Sequence, residues 1–195
     1  MKRIHLLLLS LMSALLLSIP FFQWGTGLLL LVAFVPLLLV EDSLKPKVRS
    51  REKSKAKSRK TKRGSGREAK GEAKKEAKVV AKESSKSGRS GSMIWYALLT
   101  FALFVLLTTY WVYWATPVGI IASVIVNGGY MTLTFLVFRL AKRKLGERLG
   151  YASFVIFWLA FEFLYLRAVV TFPWLVLGNG FANDIVLIQW YEWTG

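Results

Sequence analysis

The sequence predicts an all-α polytopic membrane protein with about five transmembrane helices, a cytoplasmic N-terminus, an outward C-terminus and a disordered basic cytoplasmic linker. Three observations point there. Over 195 residues, 54% are apolar and the mean hydropathy is +0.44, yet the sequence pI is about 10.3. The two characters are segregated: residues 43–92 hold 19 of the 27 Lys and Arg and account for +14 of the net +16. Aromatics avoid the same stretch, with no Trp, Tyr or Phe between Phe34 and Trp95. An aromatic-rich apolar remainder around a solvated basic insert is the composition of a membrane protein.

The first apolar segment runs from Ile4 to Val40, 37 residues whose one titratable group is His5. As one helix it would far exceed a ~30 Å bilayer core at ~1.5 Å per residue. Pro20, Trp24, Gly25 and Gly27 mark the reversal, so Ile4 to Ile19 and Gly27 to Val40 are expected as a hairpin within residues 1–42. Lys2 and Arg3 before a short apolar run also resemble a signal peptide, but no small-residue cleavage site follows and a second apolar span comes at once. The first span is therefore expected to be retained.

Residues 93–172 are expected to hold three more spans: Ile94 to Trp114, Val118 to Phe138, and Gly150 to about Phe172, with Pro117 turning the first into the second. Positive residues cluster at the start of the chain, in residues 43–92 and between Arg139 and Arg148. Five crossings put all three clusters on one side, which the positive-inside rule makes cytoplasmic. Residues 173–195 carry no Lys or Arg and are expected as an outward interfacial loop, irregular through Pro173, Gly178 and Gly180 and kept at the membrane surface by Trp174, Trp190 and Trp193.

In the basic stretch, Glu68, Glu72 and Glu76 recur every four residues, as do Lys70, Lys74, Lys78 and Lys82. Like charges at that spacing stack on a helix face, so only partial helix is expected. Its charge suits anionic lipid headgroups or simple solvation as a linker. Without interleaved aromatics base stacking is unavailable, and nucleic acid is a disfavoured partner.

Chemistry is tightly bounded. The chain has no Cys and one His, which removes a thiolate nucleophile and zinc sites built on several imidazoles; no metal or cofactor is expected. Within the fifth span Glu162 and Arg167 are the charged residues, and each needs a reason to be there. Arg167 can snorkel to the interface and Glu162 can pair within the bundle; alternatively Glu162 faces a headgroup-sized cavity. Asn127, Gly128 and Gly129 in the fourth span combine close helix approach with an amide able to bridge helices.

Four places in order then resemble the membrane domain of the apolipoprotein N-acyltransferases: Ala33-Phe34-Val35-Pro36-Leu37-Leu38, Ala160-Phe161-Glu162-Phe163-Leu164, Phe172-Pro173-Trp174-Leu175 with Gly178, and Gln189-Trp190 ahead of Gly195. The resemblance implies a bacterial inner-membrane enzyme whose outward nitrilase-like domain, with a Glu-Lys-Cys triad, takes an acyl group from a phospholipid and gives it to the N-terminal amine of a diacylated lipoprotein. Phospholipid and diacylated lipoprotein are then the implied partners, and Glu162, Arg167, Trp174 and Gln189 are candidates for lipid or substrate contact. No catalytic residue of the triad can be carried onto these 195 residues, so the resemblance implies a fragment that is inactive alone. Tyr165 stands where the family has a basic residue one turn after the glutamate, and the Lys-rich insert is not a feature the family would lead one to expect. The reading that competes is a small non-enzymatic membrane protein whose basic segment binds anionic lipid or nucleic acid.

Overall fold

A computed structural model describes residues 3–44, 92–168, 172–189 and 191–194. All regular structure among them is helical: α1 Arg3–Ser18, α2 Leu30–Ala33, α3 Val35–Ser43, α4 Ser92–Thr109, α5 Val112–Ala115, α6 Pro117–Leu145, α7 Glu147–Tyr165, α8 Ile185–Ile188 and α9 Tyr191–Thr194, with short 3-10 turns between. The chain divides into two units, residues 1–40 with 94–195, and residues 41–93. In the second unit the described residues are the end of α3 with Leu44 and the first two residues of α4. The expected linker and its partial helix lie almost wholly outside the described residues.

Four of these helical stretches are long and apolar enough to cross a membrane: Arg3–Phe21, Ser92–Thr109, Pro117–Leu145 and Glu147–Tyr165. The expected span from Gly27 to Val40 is helical but discontinuous. A 3-10 turn at Gly27–Leu29 leads into α2, which stops at Phe34 before α3 begins. Pro36 supplies the reason: it has no N–H to give a carbonyl one turn back, and its ring crowds that turn. The interruption serves the core, because Phe34 sits edge-on to Trp158 at 4.7 Å and to Phe154 at 5.0 Å.

Around Phe34 the core is an aromatic stack. Phe101 from α4, Phe135 and Phe138 from α6 and Phe154 and Trp158 from α7 meet at centroid separations of 5.0 to 6.3 Å. Tilted and edge-to-face pairs at such distances suit the ring quadrupoles. Small residues let the helices close on this stack. A Cβ on Gly128 would lie 3.4 Å from the Ala102 backbone, which marks a close α4–α6 crossing.

The first helix is packed into the same unit. Leu6, Ser10, Ser13, Ala14, Leu17 and Ser18 form its buried face. Ser13 Oγ donates to the Ala33 carbonyl at 2.6 Å, and Thr100 Oγ1 donates to the Ser10 carbonyl at 3.2 Å. In a bilayer these hydroxyls are the practical way to join helices whose apolar faces gain little from leaving lipid.

Two sequence boundaries shift. The third apolar run turns at Tyr110 and Trp111, so its last residues form α5. Arg139 to Lys144, a basic cluster beyond the expected end of the fourth span at Phe138, continue α6 to Leu145, and the reversal is compressed into Gly146 with φ of +86°. Glycine alone adopts that backbone at no steric cost, which lets one residue turn the chain. Lys142 then lies over the Tyr151 ring at 3.8 Å, and Gly150 leaves room for its stem.

Candidate functional site: a clasped surface loop

At the end of the bundle where α7 stops, residues 172–189 fold back over the helix ends as two 3-10 turns, Pro173–Leu175 and Leu177–Phe181, followed by α8. Most of this loop has no regular ladder, so its backbone donors must find other partners. The first two are supplied by α7. Tyr165 Oη accepts the Phe172 N–H at 2.6 Å and donates to Asn127 Oδ1 at 2.5 Å. Asn127 in turn donates from Nδ2 to the Ser123 carbonyl at 2.9 Å, so one phenol joins α6, α7 and the loop. One turn earlier, Glu162 Oε1 accepts the Leu177 N–H at 2.9 Å and the Trp158 indole N–H at 3.1 Å. Residues three apart share a helix face, so Glu162 and Tyr165 together grip both ends of Phe172–Leu177.

The far end of the loop is held by the turn between α1 and α2. Asp184 accepts Thr26 Oγ1–H at 2.9 Å on one carboxylate oxygen and the Gly27 N–H at 2.5 Å on the other. Asn183 Nδ2 donates to the carbonyls of Phe22 at 2.8 Å and Gly25 at 3.0 Å. Two glycines make the approach possible. A Cβ on Gly27 would run into the Phe181 ring, and one on Gly180 would fall 2.7 Å from Leu30. Leu175 is buried, Phe172 lies 6.3 Å from Trp111 ring to ring, and Trp174 is left 64% exposed.

The four sequence candidates are therefore used differently. Glu162 is half-buried and spends Oε1 on the loop backbone and the Trp158 indole, as a bundle-pairing carboxylate would. Arg167 is exposed just past α7, its guanidinium 4.0 Å from the Phe163 ring centroid. Trp174 is presented at the loop surface, and Gln189 is exposed at the end of α8 with its carbonyl accepting the Glu192 N–H at 3.1 Å. Glu162 and Trp174 share the clasped turn, whereas Arg167 stacks on its own helix and Gln189 bonds forward to α9.

Tyr165, Asp184, Asn183 and Thr26 carry as much of this site as Glu162, and sequence reasoning did not single them out for it. Tyr165 had a signal, since it follows Glu162 at three residues on an otherwise apolar helix. Asp184 had none, because its partner Thr26 is 158 residues away in sequence.

Comparison with known proteins decides the family. The family model described as the apolipoprotein N-acyltransferase N-terminal domain matches residues 78–195. The chain belongs to that family. An apolipoprotein N-acyltransferase from Chlorobaculum tepidum is 31% identical over 101 residues, covering 52% of this chain and 18% of that relative. The chain thus spans much less than two thirds of that protein's length. No solved structure shows a significant match. Within the N-acyltransferase match lie α4 to α9 and the whole clasped loop, together with three of the four places that carry the resemblance; Ala33 to Leu38 precede it.

Proposed function

We propose that this chain is the membrane domain of an apolipoprotein N-acyltransferase of the bacterial inner membrane. In that role it holds phospholipid and diacylated lipoprotein at the outer face, where an acyl chain passes from the phospholipid to the N-terminal cysteine amine of the lipoprotein. The observation that carries the reading is the family match over residues 78–195, which contains the clasped Phe172–Leu177 turn. Acyl transfer through a thioester needs a thiolate, whose nucleophilicity no other side chain here replaces. These 195 residues contain no Cys, so by themselves they are catalytically silent.

In this reading Glu162, Tyr165 and Asp184 are positioning residues. They fix the surface turn, Trp174 lies at the headgroup level where an indole is at home, and Arg167 offers a cation to lipid phosphate. The test is a chimaera in which residues 78–195 replace their counterparts in the Chlorobaculum tepidum relative, expressed in cells depleted of their own enzyme. Triacylated lipoprotein is expected to appear by mass spectrometry. A chimaera present in the membrane at the parent's level but giving only diacylated lipoprotein would count against the assignment. Triacylation by residues 1–195 alone would sink the claim of silence.

A further inference from the structure

The sequence has three asparagines, and two of them, Asn127 and Asn179, are followed by glycine. An Asn-Gly pair carries its own reaction: the backbone nitrogen of the glycine attacks the side-chain carbon of the asparagine, because the glycine has no side chain to block the approach. The two pairs stand in opposite surroundings. Asn127 is buried within α6, where its Nδ2 donates to the Ser123 carbonyl at 2.9 Å and its Oδ1 accepts from Tyr165 Oη at 2.5 Å. Asn179 is exposed in the 3-10 turn Leu177–Phe181, where its Nδ2 donates to the Pro173 carbonyl at 2.7 Å. Short 3-10 turns have poorer hydrogen-bond geometry than α-helices, and an exposed one opens at lower cost than the interior of a packed helix. The third asparagine, Asn183, precedes Asp184, whose side chain crowds the attacking nitrogen, and its Nδ2 is bonded to the carbonyls of Phe22 and Gly25.

We infer that Asn179 is a site of spontaneous deamidation and that its conversion slackens the clasped loop. The Gly180 nitrogen gives up its proton to solvent base and bonds to Asn179 Cγ. The bond from Cγ to Nδ2 breaks, and Nδ2 leaves as ammonia from a five-membered succinimide. Water then adds to one of the two ring carbonyls and breaks its bond to the ring nitrogen, leaving an aspartyl or an isoaspartyl residue at position 179. Both products take away something the loop uses. A carboxylate only accepts, so the donor that met the Pro173 carbonyl is lost and two acceptors face each other. The isoaspartyl product also lengthens the backbone by one methylene directly before Gly180, a buried residue where even a Cβ would fall 2.7 Å from Leu30 and 3.1 Å from Pro20. Position 179 lies between the grip of Glu162 and Tyr165 and the latch at Asp184, so the slack enters between the two fixed ends. The inference requires no acyl transfer, and it can fail while the enzyme assignment stands, or the reverse.

The test uses the whole 195-residue chain, purified in detergent and held for days in mildly alkaline buffer made with heavy-oxygen water. Peptides are then mapped by mass spectrometry, with fragmentation that separates aspartyl from isoaspartyl products. The mass increment of an amide turned to an acid is expected to accumulate at Asn179, with one heavy oxygen taken up and the isoaspartyl form in excess. Asn127 is expected to stay intact in the folded chain and to convert as fast as Asn179 once the chain is denatured. Asn179→Gln, whose longer side chain does not close a five-membered ring, is expected to abolish conversion at that position. Asn179→Asp carries the carboxylate from the start and reads the slackening directly. Amide exchange is expected to rise several-fold at Leu175 and Val176, which donate to the Phe172 and Pro173 carbonyls, with the α6 and α7 amides unchanged. Equal conversion of Asn127 and Asn179 in the folded chain overturns the site, as does an Asn179 that converts only after denaturation. An aspartyl product without the isoaspartyl form overturns the ring-closing step. Unchanged exchange in Asn179→Asp overturns the effect on the loop.

Discussion

Tyr165 illustrates how much one polar atom does in this fold. Its hydroxyl is donor to Asn127 and acceptor from Phe172, so Tyr165→Phe leaves a carbonyl and an N–H without partners while preserving the ring and its contacts with Phe161 and Tyr130. Leaving such groups unmet costs about 1 to 3 kcal/mol each when they are buried. The variant is expected to unfold at lower temperature in detergent, with faster hydrogen exchange at the Phe172 amide and unchanged exchange at Leu177, which Glu162 holds separately. Glu162→Leu should give the opposite pattern. Equal loosening at both amides in either variant would mean the turn is released as one body and is not gripped at two points.

At the scale of elements, the broken second segment and the clasp are coupled through the chain that joins them. Phe34 enters the aromatic core because α2 ends there, while the turn just ahead of α2 supplies Thr26 and Gly27 to Asp184. Truncating a buried aromatic costs about 3 to 5 kcal/mol. Phe34→Ala is therefore expected to destabilise the fold more than either Tyr165→Phe or Glu162→Leu, read as a larger drop in melting temperature. Asp184→Ala removes a carboxylate bonded to a hydroxyl and a backbone N–H, interactions worth about 1.5 to 3 kcal/mol when one partner is charged. Its effect should stay local. Protease cutting or amide exchange is expected to rise between Phe181 and Ile188, with the α6 and α7 amides unaffected.

For the whole molecule, legibility followed the range of the interaction. The helix α6 was readable because an uncharged apolar run declares a span regardless of its neighbours, α7 because its run from Gly150 is apolar but for Glu162, and the interfacial aromatics declared where spans end. The extension of α6 through Arg143 and Lys144 was not, since charges that read as the end of a span can equally ride on a helix emerging from lipid. The clasp was not either: many of its bonds are made by backbone N–H and carbonyl groups, which every residue but proline possesses in full, joined to side chains far away in sequence. Orientation rests on the distribution of Lys and Arg alone, and the absence of Cys makes it directly measurable. A single Cys at Arg3, Ser43 or Trp174 can be challenged with a membrane-impermeant maleimide in intact cells whose outer membrane has been permeabilised. Trp174→Cys is expected to react from outside, because its position is exposed on the clasped loop and no Lys or Arg follows it. Arg3→Cys and Ser43→Cys flank α1 and the interrupted segment, and both are expected to react only after lysis, since two crossings return the chain to the side it left. Ser43→Cys reacting from outside while Arg3→Cys stays protected would require an odd number of crossings between them. The segment interrupted at Phe34 would then return to the face it came from, and the three long helices that follow would carry Trp174 to the cytoplasmic side.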